Sequence, residues 1–296
     1  MRPRGIDHLV IAVRDLDKAR ATWQRLGFTL TPEGVHPFGT KNSLVQLEGG
    51  FLELVAINDP ATIPPATDRF FSFSSFVRDF IARQDGMAMA ALKSDDPNID
   101  FADFASRGLP AYEPVKFQRV ARGPDGSERQ VAFAMTFTAD KRLPEAGFFT
   151  CRHYFPENFW RDEYRKHENS ARRIEAVTMV AGNPADFHEF LTYFTGVRDI
   201  QSTSLGIAFD TGDGRVEVMS PAGFQGLYGG AAGAVEADPR RFAACRIAVS
   251  DAAAAKAALG RNKVPFMEQQ EGIVVSAEAA NGVVVALVER KPGGSP

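Results

Sequence analysis

The sequence predicts an α+β fold built from four copies of a βαβββ module. A strand-like run, a helical run and three further strand-like runs recur in this order four times along the 296 residues. The helical runs end at glycines, and segments rich in proline or glycine separate the modules. Hydrophobic residues make up 44% of the chain and charged residues 24%, so there is apolar material for more than one core.

The first module has the clearest pattern. Residues 6–13 are apolar and β-branched, which predicts a strand. Asp15 precedes a run whose apolar residues have helical spacing, and Gly27 ends it. Three more strands are predicted at residues 28–31, 43–47 and 51–57, and a tight turn at Gly49 and Gly50 connects the last two.

The other three modules repeat this order. The second has a strand at 87–93, a helix at 99–106, a hairpin of 115–121 with 129–139, and a strand at 148–155. The third spans residues 174–219 with a helix at 185–194, and the fourth spans 242–289 with a helix between Asp251 and Gly260. We therefore expect module pairs at 1–165 and 173–291, then a disordered tail at 292–296. Residues 69–83 predict an extra helix in the first half.

Charge and composition narrow the function classes. The net charge is −3, from 34 basic and 37 acidic residues, and no basic block stands out, so we expect no nucleic-acid partner. No apolar run has the length of a bilayer span, and no secretory leader is recognisable, so we expect a cytoplasmic protein without a membrane partner. Two cysteines, Cys151 and Cys245, provide no disulfide framework and no Cys-x-x-Cys zinc motif.

Five short motifs carry a resemblance to a known family. The motifs are GIDHLV at 5–10, GTKN at 39–42, FLEL at 51–54, HYFPENFW at 153–160 and HEN at 167–169. Together with the paired βαβββ modules, these motifs resemble the vicinal-oxygen-chelate superfamily, which includes glyoxalase I, extradiol dioxygenases and bleomycin-resistance proteins. Within it the sequence looks most like the glyoxalase-like domain proteins.

The resemblance implies that two modules roll into a curved, cup-shaped mixed sheet with helices outside and a metal in the cup. His8 lies on the first strand, where the superfamily places its first ligand, and Glu53 lies on the fourth, where it places a carboxylate. Glu53 is also the candidate catalytic residue. His153 could complete a set of two histidines and one carboxylate that suits Zn, Ni, Mn or Fe. Strand alternation alone places His153 on the other face unless a bulge intervenes.

Each of these residues also has a plainer explanation. Glu53 could lie exposed on the solvent face, and His8 and His153 could be strand histidines bonded to the backbone. Lys41 and Arg152 are candidate anion contacts, although both could be solvated. The remaining candidate substrate contacts come from the motifs: Asn42, Trp160 and His167.

The other histidines and one strand lead to further expectations. We expect His36 to lie in a surface loop and His188 to pack on a helix. Residues 131–138 alternate large and small side chains, and we expect the large ones to pack on the helices and the small ones to leave a roomy cup. In the second half, Ala176 and Ala244 stand where His8 stands in the first module, while Glu217 and Ala286 stand where Glu53 stands. That half therefore lacks a metal ligand set.

Two functions remain open. One is a metal-dependent enzyme, a lyase or isomerase or an extradiol-type dioxygenase, acting on a small oxygenated molecule whose two oxygens chelate a divalent metal. The other is a metal-free binding or drug-sequestering protein of the same fold. Both imply a small-molecule partner, and a homodimer is compatible with either.

Overall fold

A computed structural model describes residues 2–123, 126–269 and 272–290. The predicted tail at 292–296 and the tip of the hairpin at 124–125 lie outside these residues. The strands are β1 Ile6–Ala12, β2 Gly34–Val35, β3 Thr40–Gln46, β4 Phe51–Ile57, β5 Gly86–Lys93, β6 Val115–Arg122, β7 Glu128–Thr138, β8 Gly147–His153, β9 Ala171–Val180, β10 Ile200–Thr203, β11 Gly206–Asp210, β12 Arg215–Met219, β13 Arg241–Val249, β14 Met267–Gln269, β15 Gly272–Val275 and β16 Val284–Glu289. The helices are α1 Leu16–Arg25, α2 Phe73–Ile81, α3 Pro97–Ser106, α4 Pro156–Phe159, α5 His188–Thr195, α6 Pro221–Tyr228 and α7 Ala252–Arg261.

The strands form two mixed sheets of eight, as paired βαβββ modules require. The first has the order β2-β3-β4-β1-β5-β8-β7-β6, and the second repeats it as β10-β11-β12-β9-β13-β16-β15-β14. In the first sheet β1 pairs in parallel with β4 and β5 with β8, while β1 and β5 are antiparallel. The edge strands β2 and β6 contact each other, so the first sheet curves into a cup. The predicted fold class is confirmed.

The described residues form three apolar clusters, one of which joins the two sheets. The largest lies on their outer faces and joins both halves; there Phe148 packs on Phe242 with ring centroids 5.4 Å apart, and Phe104 packs on Phe194. A second cluster fills the first cup, which α2 covers, and a third fills the second cup beneath α6. Each cup is thus closed by a helix that follows the fourth strand of a module.

Local chemistry explains where several helices begin. Asp15, Asp96 and Asp251 each accept a hydrogen bond from a backbone N–H in the first turn, the standard role of an N-cap aspartate. Gly27 after α1 has φ +89°, a left-handed conformation that favours glycine. None of the helices in the described part of the chain is both long and apolar enough to cross a membrane.

Two expectations about local structure were wrong. Residues 28–31 form no strand, because Phe28 turns inward to pack on Trp23; the second strand of the module is Gly34–Val35. His188 does not pack: it is exposed at the start of α5, where Nδ1 hydrogen-bonds the Ala185 carbonyl.

Candidate functional site

The first cup places His8 and Glu53 side by side. In the parallel pairing of β1 with β4, His8 is opposite Phe51 and Val10 is opposite Glu53, so strand alternation points all four into the cup. The two polar residues are buried, with exposures of 4% for His8 and 5% for Glu53. His8 Nε2 lies 3.7 Å from Glu53 Oε2.

Asp7 orients the His8 ring. Its Oδ1 lies 2.6 Å from His8 Nδ1, and because an ionised carboxylate can only accept, Nδ1 carries the proton and Nε2 faces Glu53. The ring also stacks on Phe51, with centroids 4.3 Å apart. Burial alone would raise the pKa of Asp7, but the charges and hydrogen bonds of His153 and His8 outweigh it and hold this pKa well below its usual range.

A second group of possible metal ligands lies on the other side of Asp7. In the pairing of β7 with β8, His153 is opposite Phe133 and Cys151 is opposite Met135, so both face the same side as the cup cluster. His153 Nε2 lies 3.2 Å from Asp7 Oδ1. Ligand atoms of Asp7, Cys151 and His153 lie within 4.8 Å of one another, so these three residues could hold a metal ion. Burial, with the charges of Asp7 and Glu53, raises the pKa of the Cys151 thiol well above its usual value.

Residues of the β2–β3 segment hold the second carboxylate oxygen of Glu53, Oε1, through a chain of hydrogen bonds. Asn42 Nδ2 donates to Glu53 Oε1 at 2.6 Å and lies 3.2 Å from His36 Nε2, while His36 Nδ1 lies 2.8 Å from Thr40 Oγ1. Burial, with the charges of Arg119 and His8, lowers the pKa of His36 to about 3. His36 is therefore a neutral, buried residue of the cup, and the expectation of a surface histidine was wrong. The reason is Gly39, whose φ of +88° folds the loop back so that Phe38 stacks on His36.

Aromatic side chains form most of the remaining cup wall. The cavity between them is narrow, about 30 Å³, which is room for about one water-sized group. The expectation for residues 131–138 was wrong, since the large side chains line the cup and the small ones face α3. Thr136 on the small face donates to the Pro97 carbonyl, so small residues allow α3 to pack closely. The wall includes Phe38, Phe51, Phe73, Phe117, Phe133, Met135 and Phe159.

The predicted substrate contacts are spread over several places. Asn42 lies in the cup. Lys41 forms an ion pair with Glu33 at 3.0 Å, and Arg152 donates to the Asp95 carbonyl oxygen.

Two further predicted contacts lie outside the His8–Glu53 cavity. Trp160 stacks on His153 at the rim, with ring centroids 6.1 Å apart. His167 accepts from the Thr29 backbone N–H through Nδ1 and donates through Nε2 to the Gln46 carbonyl, so it ties the connector to the first module.

The second cup has a different polar centre. Glu217 accepts from Arg246 Nη1 at 2.8 Å and from Nη2 at 2.5 Å. Ala176, which is fully buried, lies where the first cup has His8, and Ala244 on β13 is fully buried as well. Burial would lower the pKa of Arg246, but Glu217 outweighs it and raises that pKa. This cup thus neutralises its carboxylate with a guanidinium of the chain itself.

Comparison with known proteins gives one family match. The model of the family described as glyoxalase-like domain matches residues 6–195. No sequence among the curated proteins matches the chain.

Several solved structures share the fold at low sequence identity. A hypothetical protein from Staphylococcus aureus aligns with TM-score 0.67 and 12% identity, covering 97% of this chain and 99% of that one. A mutant 4-hydroxymandelate synthase from Streptomyces coelicolor aligns with TM-score 0.55 and 12% identity, covering 99% and 94%. A fusion protein of a xylose isomerase-like TIM barrel with a 4-hydroxyphenylpyruvate dioxygenase aligns with TM-score 0.52 and 15% identity, covering 99% of this chain and 50% of that one. Such identities establish a common fold and no more.

Proposed function

Because the chain belongs to the glyoxalase-like domain family, we propose that its first cup is a metal-dependent active site for a small oxygenated organic molecule. His8 Nε2 and the Glu53 carboxylate would hold one divalent ion, with Zn, Ni, Mn and Fe all suited to this donor pair. The observation that carries the proposal is the 3.7 Å approach of these two groups inside a buried cup.

The geometry of the pair fits a shared ion. Two donors bound at about 2.0–2.2 Å to one ion lie at most about 4.4 Å apart, and 3.7 Å satisfies this limit. A histidine whose second ring nitrogen donates to a carboxylate is the usual arrangement at metal sites, because it fixes the tautomer and raises ligand basicity. Asp7 provides that carboxylate for His8.

The side chains of the cup suit further roles in the proposed reaction. A bound ion would supply Lewis-acid polarisation of two substrate oxygens. Asn42 holds Glu53 Oε1, so the carboxylate is positioned to take a proton from a substrate in the cup. The surrounding rings exclude water, which strengthens electrostatic interactions there. Lyase or isomerase chemistry and ring-cleaving dioxygenation are both compatible with these roles.

A metal-free binding cup is the second candidate. Two features favour it. Asn42 already donates a 2.6 Å hydrogen bond to Glu53, and among the described residues few other possible metal ligands lie close to His8 and Glu53. In that case His8 and Glu53 would be a polar pair at the base of an apolar cup.

Metal titration separates the two. We expect metal-stripped protein to bind about one Mn²⁺ per chain, as measured by electron paramagnetic resonance of the free ion, since the first cup holds one such pair of ligands. His8→Ala should abolish this binding and Glu53→Gln should reduce it. His188→Ala, which changes an exposed histidine of the second half, should retain it. Full Mn²⁺ occupancy in both cup variants would favour the metal-free cup.

A further inference from the structure

A positively charged side chain, Arg119, enters the first cup from the edge strand β6. Strand alternation places it on the same face as Phe117 and Ala121, both of which pack against the apolar cluster of the cup. The residues between them, Gln118 and Val120, are exposed. Arg119 also lines the same cavity as His8 and Glu53.

The Arg119 guanidinium has few partners. Within the part of the chain that the structure describes, its one hydrogen bond runs from Nη1 to the Val120 carbonyl at 3.5 Å, and its buried Nε has no acceptor. Glu53 is close enough to influence the pKa of Arg119, yet the two form no ion pair within 4.0 Å. Arg246 in the second cup shows the contrast, with two short hydrogen bonds to Glu217. Arg119 is half-buried, its buried Nε has no partner among the described residues, and an anionic ligand would satisfy this donor.

The space around Arg119 is kept open by a glycine. A Cβ on Gly34 would lie 2.9 Å from Arg119 Nη1 and 3.0 Å from Cζ, so a side chain there would displace the guanidinium. Because β2 has no side chain there, the guanidinium can lie against it and point into the cavity.

The chemistry of the wall defines the ligand. A planar guanidinium fork matches a carboxylate, and the rings of Phe38 and Phe117, 5.0 Å apart, favour a flat apolar body beside it. A monoanion balances the single charge of Arg119, whereas a dianionic phosphate would place excess negative charge near Glu53. Since the cavity holds about one water-sized group, the ligand must displace these two half-buried rings.

We propose that Arg119 anchors the carboxylate of the substrate, so that the cup selects small aromatic monocarboxylates. The inference rests on the proposed function only in placing the substrate in this cup, and it does not require a bound metal.

Benzoate and benzamide test the anchor, because they share a ring and differ in charge. In calorimetric titrations of the metal-stripped protein, we expect benzoate to bind at least about tenfold more tightly than benzamide. Arg119→Gln should reduce this ratio to about twofold or less, and Arg119→Lys should retain part of it, since a lysine keeps the charge without the fork. Arg129→Gln, which removes an exposed charge from the neighbouring strand β7, should leave the ratio unchanged.

The outcomes separate this inference from the metal proposal. Three results would overturn the proposed anchor. They are equal affinity for benzoate and benzamide, failure of both to bind, and a benzoate preference that persists in folded Arg119→Gln. Mn²⁺ binding should survive in Arg119→Gln, because the removed charge repels the ion. A benzoate preference that depends on Arg119 in a protein without Mn²⁺ binding would support the anchor and defeat the metal proposal.

Discussion

His8 Nδ1 donates a hydrogen bond to Oδ1 of Asp7, its neighbour in sequence, over 2.6 Å. Adjacent residues of a regular strand point to opposite faces, so such a bond needs an irregularity. The pairing of β1 with β5 shifts register between Ile6 and His8, which leaves Asp7 as an extra residue. This bulge allows one carboxylate to contact both His8 and His153.

The first prediction concerns this carboxylate. Asp7→Asn removes the charge that fixes the His8 tautomer, and loss of such a partner commonly weakens metal binding by about 10–100-fold. Mn²⁺ titration of the folded variant measures the change. Asp17→Asn, an exposed residue on α1, is the matched control and should bind as the unmodified protein does. Undiminished affinity in Asp7→Asn would show that Asp7 does not support the metal ligand.

The second prediction concerns stability in mild acid. A histidine in an unfolded chain has a pKa of about 6.5, whereas burial lowers the pKa of folded His36 to about 3. Between these values the unfolded state binds more protons, so the free energy of unfolding falls as the pH falls, by up to about 1.4 kcal/mol per pH unit. This stabilising contribution is complete above pH ~6.5. His167, whose pKa burial also lowers, acts in the same direction.

Urea denaturation between pH ~5 and ~6.5 measures this slope. His36→Gln should lose a large part of it, because glutamine does not titrate and can still hydrogen-bond within the cup. His188→Gln, which replaces an exposed histidine, should keep the slope. Identical slopes for His36→Gln and the unmodified protein would mean that His36 is protonated in the fold.

The third prediction distinguishes the two donor groups around Asp7. If the ion lies between His8 and Glu53, the cobalt-substituted protein should lack a thiolate-to-metal charge-transfer band, since the Cys151 thiol stays protonated. Cys151→Ser should then bind one Co²⁺ with little change in spectrum. A strong thiolate band that disappears in Cys151→Ser would instead place the ion with Asp7, Cys151 and His153.

Much of the fold is predictable because its determinants are local. N-cap aspartates such as Asp15 and Asp251 mark helix starts, glycines such as Gly27 mark helix ends, and apolar runs mark strands. These features give the order of elements, and repetition of that order gives the paired sheets. The strand predicted at residues 28–31 was wrong because packing of Phe28 on Trp23 overrides the strand preference of these residues.

The site is less predictable because its contacts depend on irregularities and on sheet closure. The motifs that contain His8, Asn42 and Glu53 point to three residues that the cup brings together. Asp7 was not predicted as a site residue because strand alternation gives no sign of a bulge. His36 was not predicted as a cup residue because the burial of its loop depends on the surrounding fold. Arg119 lies in the cup where β6 contacts β2, and this contact joins two edge strands that are far apart in sequence.

The last prediction compares the equivalent carboxylates of the two cups. Glu53→Gln should reduce Mn²⁺ binding, because it removes a charged donor that faces His8. Glu217→Gln should leave Mn²⁺ binding unchanged, because Arg246 already occupies that carboxylate and the neighbouring positions are alanines. Its effect should be on stability instead: a buried guanidinium left without its charged partner destabilises a fold by about 3–5 kcal/mol. Chemical denaturation and Mn²⁺ titration of both variants measure the two effects separately, and Glu217→Gln must be titrated under conditions where it is folded. Equal losses of Mn²⁺ binding would show that the halves act on a common site, and the assignment of function to the first cup would then be wrong.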